Sequence, residues 1–435
     1  VTGIRFLAVF MLALVMIFPG PARAREKIAK YDPPEVEPAA RRLLVVPFPY
    51  YNESIGPGAG VAAIAQGYVQ PRMLIVGSAM AGSQNTHMAF LMVRNCRVPF
   101  MPRLIVEPQV CQNTFRSVRS YVLSNPAFPN ERAAGNDSSD DNYLEADGTD
   151  FWIECRMRFL LPLGDGAEVL SPRVKLDRGV PVPDEGAPRS WNPLKNGRTF
   201  IEVNPFYRNR DTEDELDQDI TQKTAGFDLG LTYDNTDYWP NPSEGSYQNV
   251  FLSRDWGAFG SSAPWTVIGA DLHRYVSLGE SEHARQRVLA FNVWTVNCLT
   301  WDSPGDGGKA TTCHRPPAYK GGNLGGLWRL RGFPATRFND QAALSYGVEY
   351  RHTLPWNPLE DVTLGGRLKV DWFQLVGFGE LGRVAPEWKV HTLHEDMKWC
   401  LGSGARAMVN AIIVRADLGV SREDSLVQLF IGHPF

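Results

Sequence analysis

The stretch LVQLFIGHPF, Leu426 to Phe435, decides how the rest of the sequence is read. Val427, Leu429 and Ile431, with Phe435 beyond them, fall on one face of an extended strand. Gln428, Phe430 and Gly432 fall on the other, and His433 lies between Ile431 and Phe435. Alternation with a period of two marks a strand whose faces meet different surroundings. A buried last strand in a soluble sheet and a strand facing lipid both fit, so evidence from elsewhere in the chain has to separate them.

The opposite end supplies it. VTGIRFLAVFMLALVMIFPGPARA places one arginine before an apolar run from Phe6 to Phe18, then Pro19-Gly20 and Ala22-Arg23-Ala24. That is a charged head, an apolar core and an A-x-A cleavage site, so residues 1–24 are expected to be an export signal. The run is too short to span a bilayer. Beyond it no segment approaches twenty apolar residues, and hydrophobic residues make up 43% of the chain, which argues against wholesale disorder. The formal net charge of -4 gives no basic excess, so no nucleic-acid partner is expected. An exported chain that ends on Phe435 in an alternating strand, with Leu429 and Ile431 before it, resembles the terminal recognition signal of bacterial outer-membrane barrels. Without helices, only a closed barrel satisfies every backbone group in lipid.

The mature chain opens with a polar lead, residues 25–43, and the barrel is expected over 44–435. Sixteen strand-like runs follow, from GPGAGVAAIAQGYV to LVQLFIGHPF, each near the length a tilted transmembrane strand needs. AEVLSPRVKL, Ala167 to Leu176, is the weakest of them, and a fourteen-strand barrel is the alternative. With both ends in the periplasm, every second connection faces outward. On that count Trp301 to Asp340 is the longest external loop, and DTEDELDQDITQKTA is external with its carboxylates in water. SNPAFPNERAAGNDSSDDNYLEAD and NTDYWPNPSEGS then fall on the periplasmic side. Of the six cysteines, Cys298 ends a strand and Cys313 lies in the loop after it. A disulfide between them would shorten that loop, and two free thiols are the other reading.

The long loop contains LWRLRGFPATRF, Leu327 to Phe338. Leu327, Trp328, Leu330 and Phe333 favour leaving water, so the loop is expected to fold back into the lumen. An infolded Arg331 then needs an acid, because an unpaired buried charge is very costly. The wall can supply one. Gly347, Glu349 and Arg351 share a strand face, as do Phe378, Glu380 and Gly382. Charges in membrane strands are tolerated on the lumen side, which turns Glu349 and Glu380 inward. Gly347 and Gly382 are expected to leave room for the loop backbone. The alternative is that Glu349 pairs only with Arg351 and Arg331 stays wet.

Here the residues resemble a family. Leu330-Arg331-Gly332-Phe333 is similar to the V-R-G-F/Y loop motif of the BamA/TamA assembly-factor superfamily, the bacterial surface antigens. Glu349-Tyr350-Arg351 resembles the E-x-R that follows, and GFGELGRV resembles F-x-D-x-G with Glu380 in place of aspartate. Gly402, Gly404 and Arg406 match G-x-G-x-R, and Arg415, Asp417 and Gly419 match R-x-D-x-G. Asp234, Asp237, Pro242 and Gly245 match the D-x-R-D…P-x-x-G turn, with Thr236 replacing the arginine. The match runs from Leu229 to Phe435 and is thin before about residue 200. The resemblance implies a sixteen-stranded transmembrane antiparallel β-barrel, all-β, with the long loop plugging the lumen through an arginine-to-acid contact. It also implies a weak seam, here between Gly58–Val69 and Leu426–Phe435. Members typically carry periplasmic POTRA domains before the barrel. Residues 25–43 are too few for one, so a short, POTRA-less member is implied.

Other chemistry finds little support. His391 to Glu395, HTLHE, is not H-E-x-x-H and reads as a solvated loop; no metal and no cofactor are expected. No G-x-S-x-G or comparable motif marks a nucleophile, so no enzyme is expected. Asp371 is out of phase with Glu380 and calls for a bulge near Gly377 or a strand end outside the membrane. The reading is an outer-membrane barrel acting in insertion or transport of protein, or of lipid. Its partners would be outer-membrane lipid, unfolded protein cargo and a separate periplasmic subunit. A passive pore or structural barrel is the first alternative, and an outer-membrane hydrolase the second.

Overall fold

A computed structural model describes residues 41–52, 56–123, 125–170, 174–182, 192–217, 219–302, 314–360, 362–364, 368–410 and 412–435. The expected export signal and nearly all of the lead lie outside these residues. One antiparallel sheet of eighteen strands dominates. Two of the eighteen, Cys96–Val98 and Thr363–Leu364, are short pieces hairpinned onto longer neighbours, which leaves sixteen staves. In chain order they are β1 Arg42–Asn52, β2 Gly56–Gln66, β3 Leu74–Gly82, β4 His87–Arg94, β5 Met101–Ser120, β6 Leu144–Leu160, β7 Arg198–Asp214 and β8 Asp219–Asp234. The second half holds β9 Gly245–Asp255, β10 Trp265–Ser277, β11 Gln286–Cys298, β12 Ala342–Thr353, β13 Leu368–Ala385, β14 Lys398–Val409, β15 Ile412–Val420 and β16 Ser425–Ile431. Each pairs with the next in sequence. The first and last staves lie side by side, yet no ladder joins β16 to β1 among the described residues.

The alternation sorts the side chains. On β8, Phe227, Leu229 and Leu231 point outward and stay exposed, while Thr224 and Thr232 are buried within. On β12, Val348 and Tyr350 face out, whereas Glu349 and Arg351 are fully buried. This inverts a soluble sheet, with apolar surface outside and charge inside, as a lipid-facing barrel requires.

Two strand assignments are corrected, and they offset each other in the count. Ala167 to Leu176 is not a stave. A 3-10 turn covers Gly164–Ala167, and Leu176–Asp177 pairs with Val180–Pro181 in a small hairpin. Pro172 already disfavours a central strand in that run. The missed stave is β1, RLLVVPFPYYN, most of which lay inside the expected barrel range but ahead of its first expected strand. Its Pro47 and Pro49 cannot donate to a ladder, and they are tolerated because β2 is its one registered neighbour. Among the described residues the first stave therefore starts at Arg42, and the stave facing β16 is Arg42–Asn52, not Gly58–Val69.

The added stave also reverses the parity of the early loops. Residues 121–143, expected in the periplasm, join β5 to β6 on the same side as the long loop. Ala134 O accepts from Asn339 N at 2.7 Å, and Arg132 pairs with Asp340 at 2.5 Å. The turn 235–244 stays on the periplasmic side, where Asn241 donates to Gln286.

Two smaller expectations also change. The irregularity that accommodates Asp371 lies at that residue, between Val370 and Trp372, and not near Gly377. Val370 and Trp372, on either side of it, are both buried in the lumen. Phe435 does not continue the lipid face of Val427, Leu429 and Ile431. The strand ends at Ile431, and Gly432, at φ 91°, turns the tail inward. Phe435 then packs against Tyr275, Val288 and Ala290 inside the barrel. A positive φ of that size suits glycine and little else.

Candidate functional site

The long loop enters the lumen as a compact unit. Gly322–Leu324 pairs with Phe338–Asp340, and Gly325 and Gly326, both at φ near 100°, reverse the chain between them. Gly326 N donates to Phe333 O, and Phe333 N donates to Leu330 O, which closes a tight turn around Arg331. Leu330 and Phe333 are buried with Leu324, Phe338, Phe378 and Val384. Full burial of each such side chain contributes about 1.5–3 kcal/mol. The loop is thus held by its own apolar residues before any charge is counted.

Arg331 is 0% exposed. Its Nε lies 2.8 Å from Glu380 Oε1, and its backbone N–H donates to Glu380 Oε2 at 2.7 Å. Nη1 reaches Asp417 Oδ2 at 2.7 Å, and Nη2 lies 2.9 Å from Glu349 Oε1. The guanidinium also stacks on Phe378, 3.6 Å from the ring centroid. A planar fork with five donors suits this setting in a way a lysine ammonium does not.

The acids have other partners. Glu349 takes Arg351 at 2.8 Å and Arg406 at 2.7 Å, and Asp417 takes Arg415 at 3.0 Å. Four arginines therefore meet three carboxylates in one buried cluster. Arg415 also donates to Leu327 O, and Gln428 donates to Gly326 O and Arg331 O. The loop is fastened through its backbone as well as through one side chain.

Of the residues singled out from sequence, the structure brings together Leu330, Arg331, Gly332, Phe333, Glu349, Phe378 and Glu380. Gly382 does make room, but for the side chains of Leu324 and Leu330. Gly347 is corrected: it faces the Phe435 ring and not the loop backbone. The glycine that admits the loop backbone is Gly419, where an added Cβ would stand 2.7 Å from the Arg331 carbonyl. Asp417 as a direct partner of Arg331 also went unrecognised, although its alternation with Arg415 and Gly419 was visible. Cys298 is buried at the end of β11, while Cys313 lies outside the described residues, so the proposed disulfide falls there too. The run His391 to Glu395 is not a loop: His391 lies in a short helix, Val390–His394, and pairs with Glu395 at its end. No group of metal-binding side chains is assembled among the described residues.

A second fastening lies above the first. Arg337 is fully buried, with Nε 2.6 Å from Glu423 and Nη2 donating to Ser138 O at 2.7 Å. The 121–143 loop is thereby clamped over the infolded loop. At the periplasmic mouth, the hairpin after β6 reaches across to β13. There Trp372 Nε1 donates to Gly179 O at 3.1 Å, and Val180 packs with Trp372, Met408 and Ile413.

Comparison with known proteins agrees with this architecture. Residues 190–379 match the Omp85 superfamily domain. No curated protein matches the sequence. Among solved structures, CdiB from Escherichia coli aligns with TM-score 0.53 at 10% identity, covering 90% of this chain and 60% of that one. CdiB from Acinetobacter baumannii aligns with TM-score 0.51 at 11% identity, covering 89% and 59%. BamA from Haemophilus ducreyi, lacking POTRA domains 1-3, aligns at 0.49 and 10% identity, covering 90% and 69%. This chain spans less than two thirds of either CdiB chain. With the inverted sheet and the buried Arg331 loop, the domain match makes this chain similar, over residues 190–379, to the Omp85 superfamily of bacterial outer-membrane β-barrels.

Proposed function

We propose that this barrel inserts or translocates protein at the outer membrane, using the junction between β1 and β16 as the place where a client strand engages. The observation that carries the reading is the unladdered contact between those two strands. β14, β15 and β16 are paired in continuous register, whereas Pro47 and Pro49 deprive β1 of donors. An unpaired strand edge is a template for another strand. The infolded loop suits the same role. It seals the lumen, so an opening at the junction does not leave an unguarded pore. Unfolded protein is the implied cargo, and a separate periplasmic subunit is the implied means of delivering it. A passive pore fits less well, because the loop packs an apolar core of its own into the lumen.

The test is a folding assay in liposomes with an unfolded outer-membrane barrel as client. Cysteine pairs scanned along Leu43–Val46 and Val427–Leu429 would lock the junction when oxidised. The protein is expected to accelerate client folding, and the locked pair to lose that acceleration until reduced. Acceleration that survives locking rules out the junction. No acceleration by the unlocked protein, with or without an envelope extract, rules out the activity.

A further inference from the structure

Between the infolded loop and the wall formed by β5 to β8 lies a cavity of about 610 Å³ at the external end of the lumen. Its polar lining is unevenly charged. Arg208 and Arg210 sit two residues apart on the same face of β7 and both line it. In register, Arg210 stands opposite Asp150. The Asp150 carboxylate is nevertheless engaged by Arg208, whose Nε donates to Oδ1 at 2.7 Å and whose Nη2 pairs with Oδ2. Arg208 is held in that diagonal pair by stacking on Tyr319 of the loop, 3.8 Å from the ring centroid. Arg210 is left lying on the Phe115 ring at 4.7 Å, with no carboxylate in ion-pair contact among the described residues. Arg315 of the infolded loop, stacked on Trp301, brings a third guanidinium to the cavity.

This differs from other arginines of the same wall. Deeper in the barrel, Arg156 meets Glu202, Arg158 meets Glu107 and Arg198 meets Asp234. Asp150 is taken up by Arg208, so the second like charge on this strand face has no acid in contact, which is costly. A cation–π contact offsets little of that cost. A guanidinium fork, by contrast, matches the paired oxygens of a phosphate group.

We propose that the external vestibule is a binding site for a phosphate ester, held by Arg210 with Arg208 beside it. The volume admits a phosphorylated monosaccharide. The phosphate could belong to a soluble sugar ester or to a sugar phosphate anchored in the outer leaflet; the chemistry recognised is the same.

Isothermal titration of the full chain in detergent micelles tests this, with glucose 6-phosphate, glucose, and micelles doped with a phosphorylated glucosamine lipid as probes. Saturable binding of glucose 6-phosphate, and none of glucose, is expected. Arg210→Gln should weaken it about tenfold or more, as loss of a charge-assisted contact requires, and Arg210→Lys should weaken it less. Arg287→Gln, outside the cavity, should leave it unchanged. Retention of heat-modifiable gel mobility by each variant shows that its barrel is folded. Tighter binding of the lipid-borne phosphate assigns the site to the membrane surface, and tighter binding of the free ester assigns it to a soluble ligand. Absence of saturable binding of either phosphate by the unaltered chain overturns the proposal. So does binding that Arg210→Gln leaves intact.

Discussion

At the residue scale, Arg331 is constrained on every side. Three carboxylates, an aromatic face and a backbone carboxylate bond define its place. Removing one member of a buried charged cluster leaves the others unpaired, at a cost on the order of 3–5 kcal/mol. Arg331→Glu should therefore lower the urea concentration at which the barrel loses its compact gel mobility, since it sets four acids together. Glu380→Arg in the same chain should restore only part of the loss, because Asp417 and Glu349 still face the new carboxylate. Full restoration would show that Glu380 alone matters, and no restoration would show that the contact does not hold the loop. Arg331 and its two expected acids were legible because a basic residue in an apolar, glycine-flanked loop must go somewhere. Asp417 was harder to read. It already has Arg415 two residues away on its own strand, so its sequence context explains it without the loop. Long-range sharing of one carboxylate leaves no mark in local pattern.

At the element scale, the staves of the second half were read from alternation alone, because lipid outside and charge inside give each a clean period of two. β1 was not. Its apolar run is interrupted by two prolines and follows a polar segment, and only its place at the sheet's edge makes those prolines acceptable. The hairpin after β6 was misread for the opposite reason, since a short apolar run looks like a strand wherever it lies. One stave missed and one added leave the count unchanged but invert the sidedness of everything between them. This yields a direct test. Asn130 is exposed in the 121–143 loop. Asn130→Cys in intact cells should react with a membrane-impermeant maleimide, as the clamp between Ser138 and Arg337 requires. Labelling that appears only after the outer membrane is breached would put that loop back in the periplasm and remove β1 from the wall.

At the scale of the whole molecule, two segments lie in the path through the lumen. The infolded loop and its 121–143 clamp occupy the external half, and the hairpin that reaches Trp372 lies across the periplasmic mouth. The two share no described contact, so each should release independently. Barriers in series transmit only what the tighter one permits. Arg331→Ala should therefore raise the single-channel conductance of the barrel in a planar bilayer only slightly, with brief openings. Replacing residues 174–182 by a Gly-Ser linker should do the same. The two changes together should give a steady conductance far above the sum of the single effects, because only then is the water column continuous. Large, steady conductance from Arg331→Ala alone would mean that the periplasmic hairpin is no barrier to ions. The lumen would then have a single gate, set by one arginine and its acids.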